Sequence, residues 1–246
     1  MRILECFDAD HPHLTATRIS GATGLSSSTT HRLTTEMVSV GMLQRLPDGA
    51  LTIGTRSWET SVRSNPLEHL RAIARPVMED LHARFGHHLS LAVPDFDTFN
   101  VLYVERYDAD YPIRILSRHA SRLPVYANSS GLTMLAFADD ATVTQALNRI
   151  PGDDATGREE DLVRMRADIA ETRLRGYTHI VGGLVTENTA FAAPSFGPDG
   201  GVRCALSIVA RTDRCDHDAV LDAVVSASRT LSDGLAADVN PPTTPD

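Results

Sequence analysis

The residues best suited to chemistry in this chain sit between positions 27 and 45. Ser27, Ser28, His31, Arg32 and Thr35 fall on one face of a helix-forming stretch. At about 100° per residue they lie opposite Leu33, Met37 and Val40, which recur at i, i+4 and i+7. A face of hydroxyls, an imidazole and a guanidinium is the set that meets phosphate oxygens and base edges in a DNA major groove. Arg45 follows in a short hairpin, placed to reach a phosphate. A solvated helical hairpin within an α/β domain uses similar residues, so the surrounding elements must decide between the two.

Other reactive constellations are missing. There is no glycine-rich phosphate loop opening a helix, no HExxH and no GxSxG. His11-Pro12-His13 has no third ligand near it and reads as a loop. His87-His88 follows a helix end, where complementarity to the helix dipole accounts for it. The acidic groups Asp139-Asp140, Asp153-Asp154 and Glu159-Glu160-Asp161 read as solvated faces or first-turn dipole partners. Cys6, Cys204 and Cys215 form neither a disulfide framework nor a zinc spacing, and Cys204 alternates into a strand as a small hydrophobe. No catalytic residue, metal or cofactor is expected, and the chain reads as a non-enzyme.

The elements that must position the polar face are legible. A first helix over about Thr17–Thr23 turns Ile19 and Ala22 inward, and Gly24 permits the left-handed exit. Ser26–Ser28 cap the second helix. Met42–Leu46 and Ala50–Ile53 flank a Pro47-Asp48-Gly49 turn as a hairpin. Helix, turn, helix, hairpin is a winged helix-turn-helix. Met1–Asp8 reads as a first helix packed behind it, with Ile3, Leu4 and Phe7 on one side. Arg56–Arg63 is a short helix or linker in which Trp58 packs.

Asn65-Pro66-Leu67-Glu68 carries the cap, N1 proline and acidic residue of a helix start. An apolar stripe then runs from Leu67 to Phe85, interrupted by Pro76. Strands are predicted over Leu89–Val93, Asn100–Arg106, Ile113–Arg118, Tyr177–Val181, Ala190–Pro194 and Val202–Ala210. Helices are predicted over Ser130–Phe137, Ala141–Arg149, Arg158–Arg175 and Asp216–Val239. Residues 240–246 read as a disordered Pro/Thr tail.

The 246 residues are 42% hydrophobic and 22% charged, as in a soluble globular protein of two modest domains. No apolar run reaches membrane-spanning length and no signal peptide opens the chain, so the expected compartment is the cytoplasm. All 23 basic side chains are arginine, and the net charge is −9. Residues 1–64 hold six arginines and six acids. The acidic excess therefore lies in the second part, which need not touch DNA. A neutral headpiece depends on dimeric, specific contacts more than on non-specific charge.

In their order, "RILECF", "TGLSSSTTHRL", "GMLQRLPDGALTIG", "ARPVMEDLHARFG", "SRHASRLPVYANSSGLTMLAF", "LRGY" and "FAAPSFGPDGG" resemble the IclR family of bacterial transcription regulators. The resemblance covers nearly the whole chain. It implies an α+β protein: a winged helix-turn-helix over 1–55, a linker helix over 56–65 and a GAF-like α/β effector-binding domain over 66–239. It also implies a homodimer or homotetramer acting on palindromic double-stranded operator DNA. The family often has a basic residue where Ser27 stands. The effector site it implies comprises Tyr126, Asn128, Ser129, Ser130, Ile180, Ala190, Ser207 and Val209. There the Ser129 and Ser130 amides hold a carboxylate, and Tyr126 and Asn128 read a hydroxyl. Three polar family positions have become Ile180, Ala190 and Val209, which favours an aromatic or medium-chain acid over a glyoxylate-like one. Two alternatives stand beside this effector-responsive regulator. One is a small-molecule-binding protein or enzyme whose helix-turn-helix only dimerises. The other is a regulator whose pocket is filled by Ile180, Val209 and Phe191.

Overall fold

The computed structural model describes residues 2–8, 10–150 and 155–237. The expected tail over 240–246 and the start of the 151–157 loop lie outside these. Contacts divide the chain into two compact units, Met1–Pro66 and Leu67–Asp246.

In the first unit, α1 (Ala16–Thr23) ends at Gly24, which adopts a left-handed φ of 68°. The Ser26 side chain accepts the Thr29 N–H to cap α2 (Ser27–Ser39). β1 (Leu43–Arg45) and β2 (Leu51–Ile53) pair antiparallel around the Pro47–Gly49 turn, and α3 (Thr55–Arg63) follows. Ile3, Leu14, Ile19, Leu43 and Leu51 form the core, with Leu33 and Met37 of α2 packed against it.

Four expectations fail here, each for a local reason. The first helix shrinks to a single 3-10 turn, Leu4–Cys6, although Ile3 still buries. Ala22 is exposed, and Thr23 turns inward instead, its hydroxyl donating to the Ile19 carbonyl at 2.7 Å. Val40 is 48% exposed because α2 stops at Ser39 and Val40 leaves helical geometry. Fully buried Thr30 and Thr34 extend the inner face of α2, and Thr34 spends its hydroxyl on the Thr30 carbonyl at 2.9 Å. Trp58 does not pack within its unit: it is 63% exposed, on a helix that buries no residue.

The second unit begins with α4 (Glu68–Phe85), which continues through Pro76 and ends at the left-handed Gly86. β3 (His88–Asp95) and β4 (Asn100–Tyr107) form a hairpin, and β5 (Arg122–Pro124) pairs with the outer edge of β4. Then come α5 (Ser129–Ala136), α6 (Asp140–Leu147), α7 (Ala155–Arg175), β6 (Thr178–Val181), β7 (Asn188–Phe196), β8 (Val202–Arg211) and α8 (His217–Ala237). The strands make one antiparallel sheet in the order β5-β4-β3-β8-β7-β6. The architecture is α+β.

Alternation along the strands gives this sheet two different faces. Leu89, Leu91, Phe191, Leu206 and Ile208 pack with Met78 and Leu81 of α4 and Val220, Val224 and Leu231 of α8. Full burial of each such side chain contributes about 1.5–3 kcal/mol. On the other face Ala92, Val101, Tyr103 and Ala205 meet Leu132 and Leu135 of α5 and Ile169 of α7.

The predicted strand Ile113–Arg118 joins no ladder. The edge of β4 it would need is occupied: the Tyr103 N–H donates to the Ser121 carbonyl, and Asn100–Leu102 pair with Arg122–Pro124. The segment remains an extended strap. The Arg106 guanidinium donates to the Ser117 carbonyl at 3.0 Å, and the Asn188 amide donates to the Arg114 carbonyl at 2.9 Å.

His87 and His88 are also corrected. They are 5% and 1% exposed, so they are not charges answering a helix dipole. His87 Nδ1 lies 2.9 Å from the Tyr111 hydroxyl. Neither ring nitrogen of His88 has a well-formed hydrogen bond among the described residues; the nearest carboxylate, Asp108, stands 3.5 Å from Nδ1. Burial, helped by the nearby Arg106 charge and opposed by Asp108, pushes its imidazole down to about 4. Between pH 6.5 and that value the unfolded chain binds a proton that the folded chain refuses. Stability conferred by neutral His88 is therefore complete near neutrality and falls as pH drops through this window. Between pH 7 and pH 5 the loss amounts to about 2 kcal/mol from this residue alone. Urea unfolding at the two pH values should show His88→Leu losing about 2 kcal/mol less than wild type; equal losses would contradict the assignment.

Candidate functional site

Two places gather the residues singled out above. In the first unit Ser27, Ser28, His31, Arg32 and Thr35 are all exposed on α2, and Arg45 is exposed on β1. Arg32 pairs with Glu36 at 3.0 Å, one turn along the same helix, with both side chains more than half exposed. Such a pair is worth little and yields readily to a phosphate. Arg45 donates to the Gly49 carbonyl at 3.2 Å, so it lies along its own turn. Sequence periodicity located this face because exposure on one helix is a local property.

In the second unit a cavity of about 390 Å³ opens on the β3–β8 side of the sheet. Its floor is sheet: Ile180 from β6, Ala190 from β7, Ser207 and Val209 from β8. These come together through register, since Ile180 pairs with Ala190 and Ala190 with Val209. Ser90 of β3 pairs with Ser207, and their hydroxyls lie 2.8 Å apart. Tyr126, Asn128 and Ser129 line the end where α5 begins. The strap Arg114–Ser117 lines another side, and Arg164, Met165 and Asp168 of α7 a further one. Ser130 does not line the cavity, and its hydroxyl is buried without a partner at hydrogen-bonding distance. Burial pushes the Tyr103 phenol up to about 12.

The start of α5 explains what this end of the cavity does. Asn128 caps the helix: its Oδ1 accepts the Gly131 N–H at 2.7 Å, while its Nδ2 donates to the Pro124 carbonyl at 2.8 Å. With both ends of its amide committed, Asn128 positions the corner and is a poor reader of a ligand hydroxyl. Ser129 and Ser130 occupy the first turn, where amides have no intrahelical acceptor. Dipole and free N–H groups there favour an anion. Tyr126 is half-buried and keeps its phenol available among the described residues.

Phe191 is not in the cavity. It points to the opposite face, stacked on His179 at 4.5 Å between ring centres and packed in the α4–α8 core. The filled-pocket alternative required it inside. Strand alternation excludes that, because Phe191 follows Ala190.

Sequence reasoning missed Ser90, Tyr103, the strap, the α7 wall, Gly183–Val185 and Asn188. Of these only the strap left a trace, as an apolar-polar alternation misread as a strand. Gly131 was passed over as well. A Cβ there would stand 2.2 Å from the Val125 carbonyl oxygen, so Gly131→Ala must open the corner. The expected result is a loss of about 1–3 kcal/mol or more in thermal unfolding, together with loss of ligand-induced stabilisation; an unperturbed variant would refute the close approach.

Comparison with known proteins matches both units. Residues 66–235 match the model for the bacterial transcriptional regulator IclR C-terminal domain, and residues 1–47 match the IclR helix-turn-helix domain. An IclR homolog from Microbacterium hydrocarbonoxydans, solved in complex with 4-hydroxybenzoate, is 33% identical. The match covers 96% of this chain and 97% of that one, with a TM-score of 0.85. An IclR homolog from Microbacterium sp. strain HM58-2 is 31% identical, with 97% and 95% coverage and a TM-score of 0.59. The transcriptional repressor IclR of Escherichia coli is 26% identical over 181 residues, 72% of this chain and 66% of that repressor. No helix among the described residues is long and apolar enough to cross a membrane.

Proposed function

The chain belongs to the IclR family of bacterial transcriptional regulators, and from that premise we propose that it is an effector-responsive regulator binding a palindromic operator as a dimer or tetramer in the cytoplasm. The observation that carries this reading is that one chain holds both an exposed hydroxyl-and-arginine face on a capped α2 and a formed cavity with a helix N-terminus at its end. The functional division follows the sequence: DNA binding in 1–55, a linker in 56–65, effector binding in a GAF-like domain over 66–239.

For DNA, Ser27, Ser28, His31, Arg32 and Thr35 face the major groove and Arg45 rests on a phosphate. The first unit has no net positive charge, so affinity rests on paired half-sites spaced by about one helical turn or its multiples. Exposed Trp58 and Val62 on α3, at 63% and 57%, supply an apolar surface for the partner headpiece. Gel shifts with DNA flanking the coding region test this. Arg32→Ala should cost about 1–3 kcal/mol and relax base preference. Arg45→Ala should weaken all sequences alike and flatten the salt slope. Two variants binding like wild type would remove the recognition-helix assignment. A protein that remains monomeric in light scattering at micromolar concentration, with full operator affinity, would remove the dimer.

For the effector, the cavity suits a partly apolar acid. Its carboxylate lies at the start of α5, against the Ser129 amide that lines the cavity, and its body lies over Ile180, Ala190 and Val209. The 4-hydroxybenzoate complex of the Microbacterium hydrocarbonoxydans homolog supports an aryl acid. A very small polar acid would leave its own distal oxygens unpaired against the apolar wall of Ile180, Ala190 and Val209, each such loss costing about 1–3 kcal/mol. Thermal-shift titration should show aryl acids stabilising the protein in proportion to concentration over Kd, with glyoxylate and pyruvate inactive. Ala190→Asp should abolish the shift by placing a carboxylate on the floor. Stabilisation by glyoxylate alone would overturn the ligand class.

A further inference from the structure

One ionisable group in the cavity has no task in the foregoing account. Asp168 is the only acid among the lining residues. It shares a face of α7 with Arg164 and Met165, at i, i+1 and i+4, while its neighbour Ile169 turns into the core. Arg164 is engaged by Asp161, one turn back. Asp168 is half-buried and makes no hydrogen bond or salt bridge among the described residues. A half-buried carboxylate left unpaired in a cavity that Met165, Ile180 and Leu184 also line is a strong acceptor without a donor.

We propose that Asp168 reads the effector: it accepts a hydrogen bond from a hydroxyl on the body of an aryl acid whose carboxylate lies at the start of α5. This rests on the cavity being the effector site, and it narrows the ligand to a hydroxyaryl carboxylate. The donor is a neutral hydroxyl and not an ammonium, because Arg114 and Arg164 line the same cavity and repel a second cation. A second carboxylate is disfavoured by Asp168 itself. Burial raises the Asp168 carboxyl, with Glu171 adding to this and Arg164 opposing it; a donated hydrogen bond offsets that desolvation. Asn128, whose amide is spent on the α5 corner, leaves the reading of a hydroxyl to Asp168 and the Tyr126 phenol.

The test is calorimetric titration of the full chain with benzoate, 3- and 4-hydroxybenzoate, their methyl ethers, and terephthalate. The better hydroxy isomer should bind about ten-fold or more tighter than benzoate, since a hydrogen bond to a charged group is worth at least one decade. Its methyl ether and terephthalate should lose that advantage. In Asp168→Ala the advantage of the hydroxy acid over benzoate, measured on the same variant, should disappear. Asp168→Asn, which keeps an acceptor oxygen, should retain part of the preference. Equal wild-type binding of benzoate and both hydroxy isomers would overturn the inference while leaving the cavity reading intact, as would a preference undiminished in Asp168→Ala. The ligand series on wild type decides even where a variant misfolds. Failure of every benzoate to bind would overturn the effector reading and this inference together.

Discussion

The second unit depends on one corner. The Asn128 amide holds the Pro124 carbonyl with one end and the Gly131 N–H with the other, and Gly131 lies so close to the Val125 carbonyl that a single methyl group would not fit. These contacts set the direction in which α5 leaves the sheet. They therefore set where its first-turn amides stand relative to Ala190, Ser207 and Val209. The carboxylate site proposed here, made of backbone dipoles, has no side chain that can adjust, so its precision must come from the fixed backbone beneath it. Committing Asn128 to this corner removes it from ligand recognition.

The sheet serves two purposes through alternation alone. One face is closed by α4 and α8 around Phe191, Leu206 and Ile208. The other is only partly filled, because Ala190, Ser90 and Ser207 are small where α5 and the strap arch over them. Buried hydroxyls there are paired side by side: Ser90 with Ser207, and Thr133 with Thr178 at 2.7 Å. Paired hydroxyls satisfy one another without a charge. The strap has no strand partner and is held by a few side-chain bonds, which makes it the least constrained wall.

The first unit works by a different economy. Thr30 and Thr34 bury on α2 where aliphatic residues would serve packing better, and the Thr30 hydroxyl has no partner among the described residues. Arg32 and Arg45 rest on Glu36 and on the Gly49 carbonyl, so neither is held rigidly toward solvent. With no net charge, such a unit draws little on attraction at a distance, which is why the proposed operator reading rests on paired half-sites.

Local chemistry was readable from the chain itself. Gly24 and Gly86 ended helices, Ser26 started one, Pro47-Asp48-Gly49 made the wing turn, and the polar face of α2 followed from a 3.6-residue period. These features depend on a few consecutive residues. Most of the cavity residues drawn from the family resemblance also came together, because that resemblance carries a register that spacing alone does not. Tertiary structure decided the rest. Ile113–Arg118 alternates like a strand, yet the β4 edge was already taken by Ala120–Pro124. His87 and His88 follow a helix end like dipole partners, yet the sheet buries them neutral. Phe191 is apolar beside a pocket, yet pairing with Ile208 turns it to the far face. Asp168 looks like one more acid on a charged helix until α7 is laid against the cavity. In each case the outcome is set by which edge, face or wall of the assembled sheet is left open, and no local pattern encodes that.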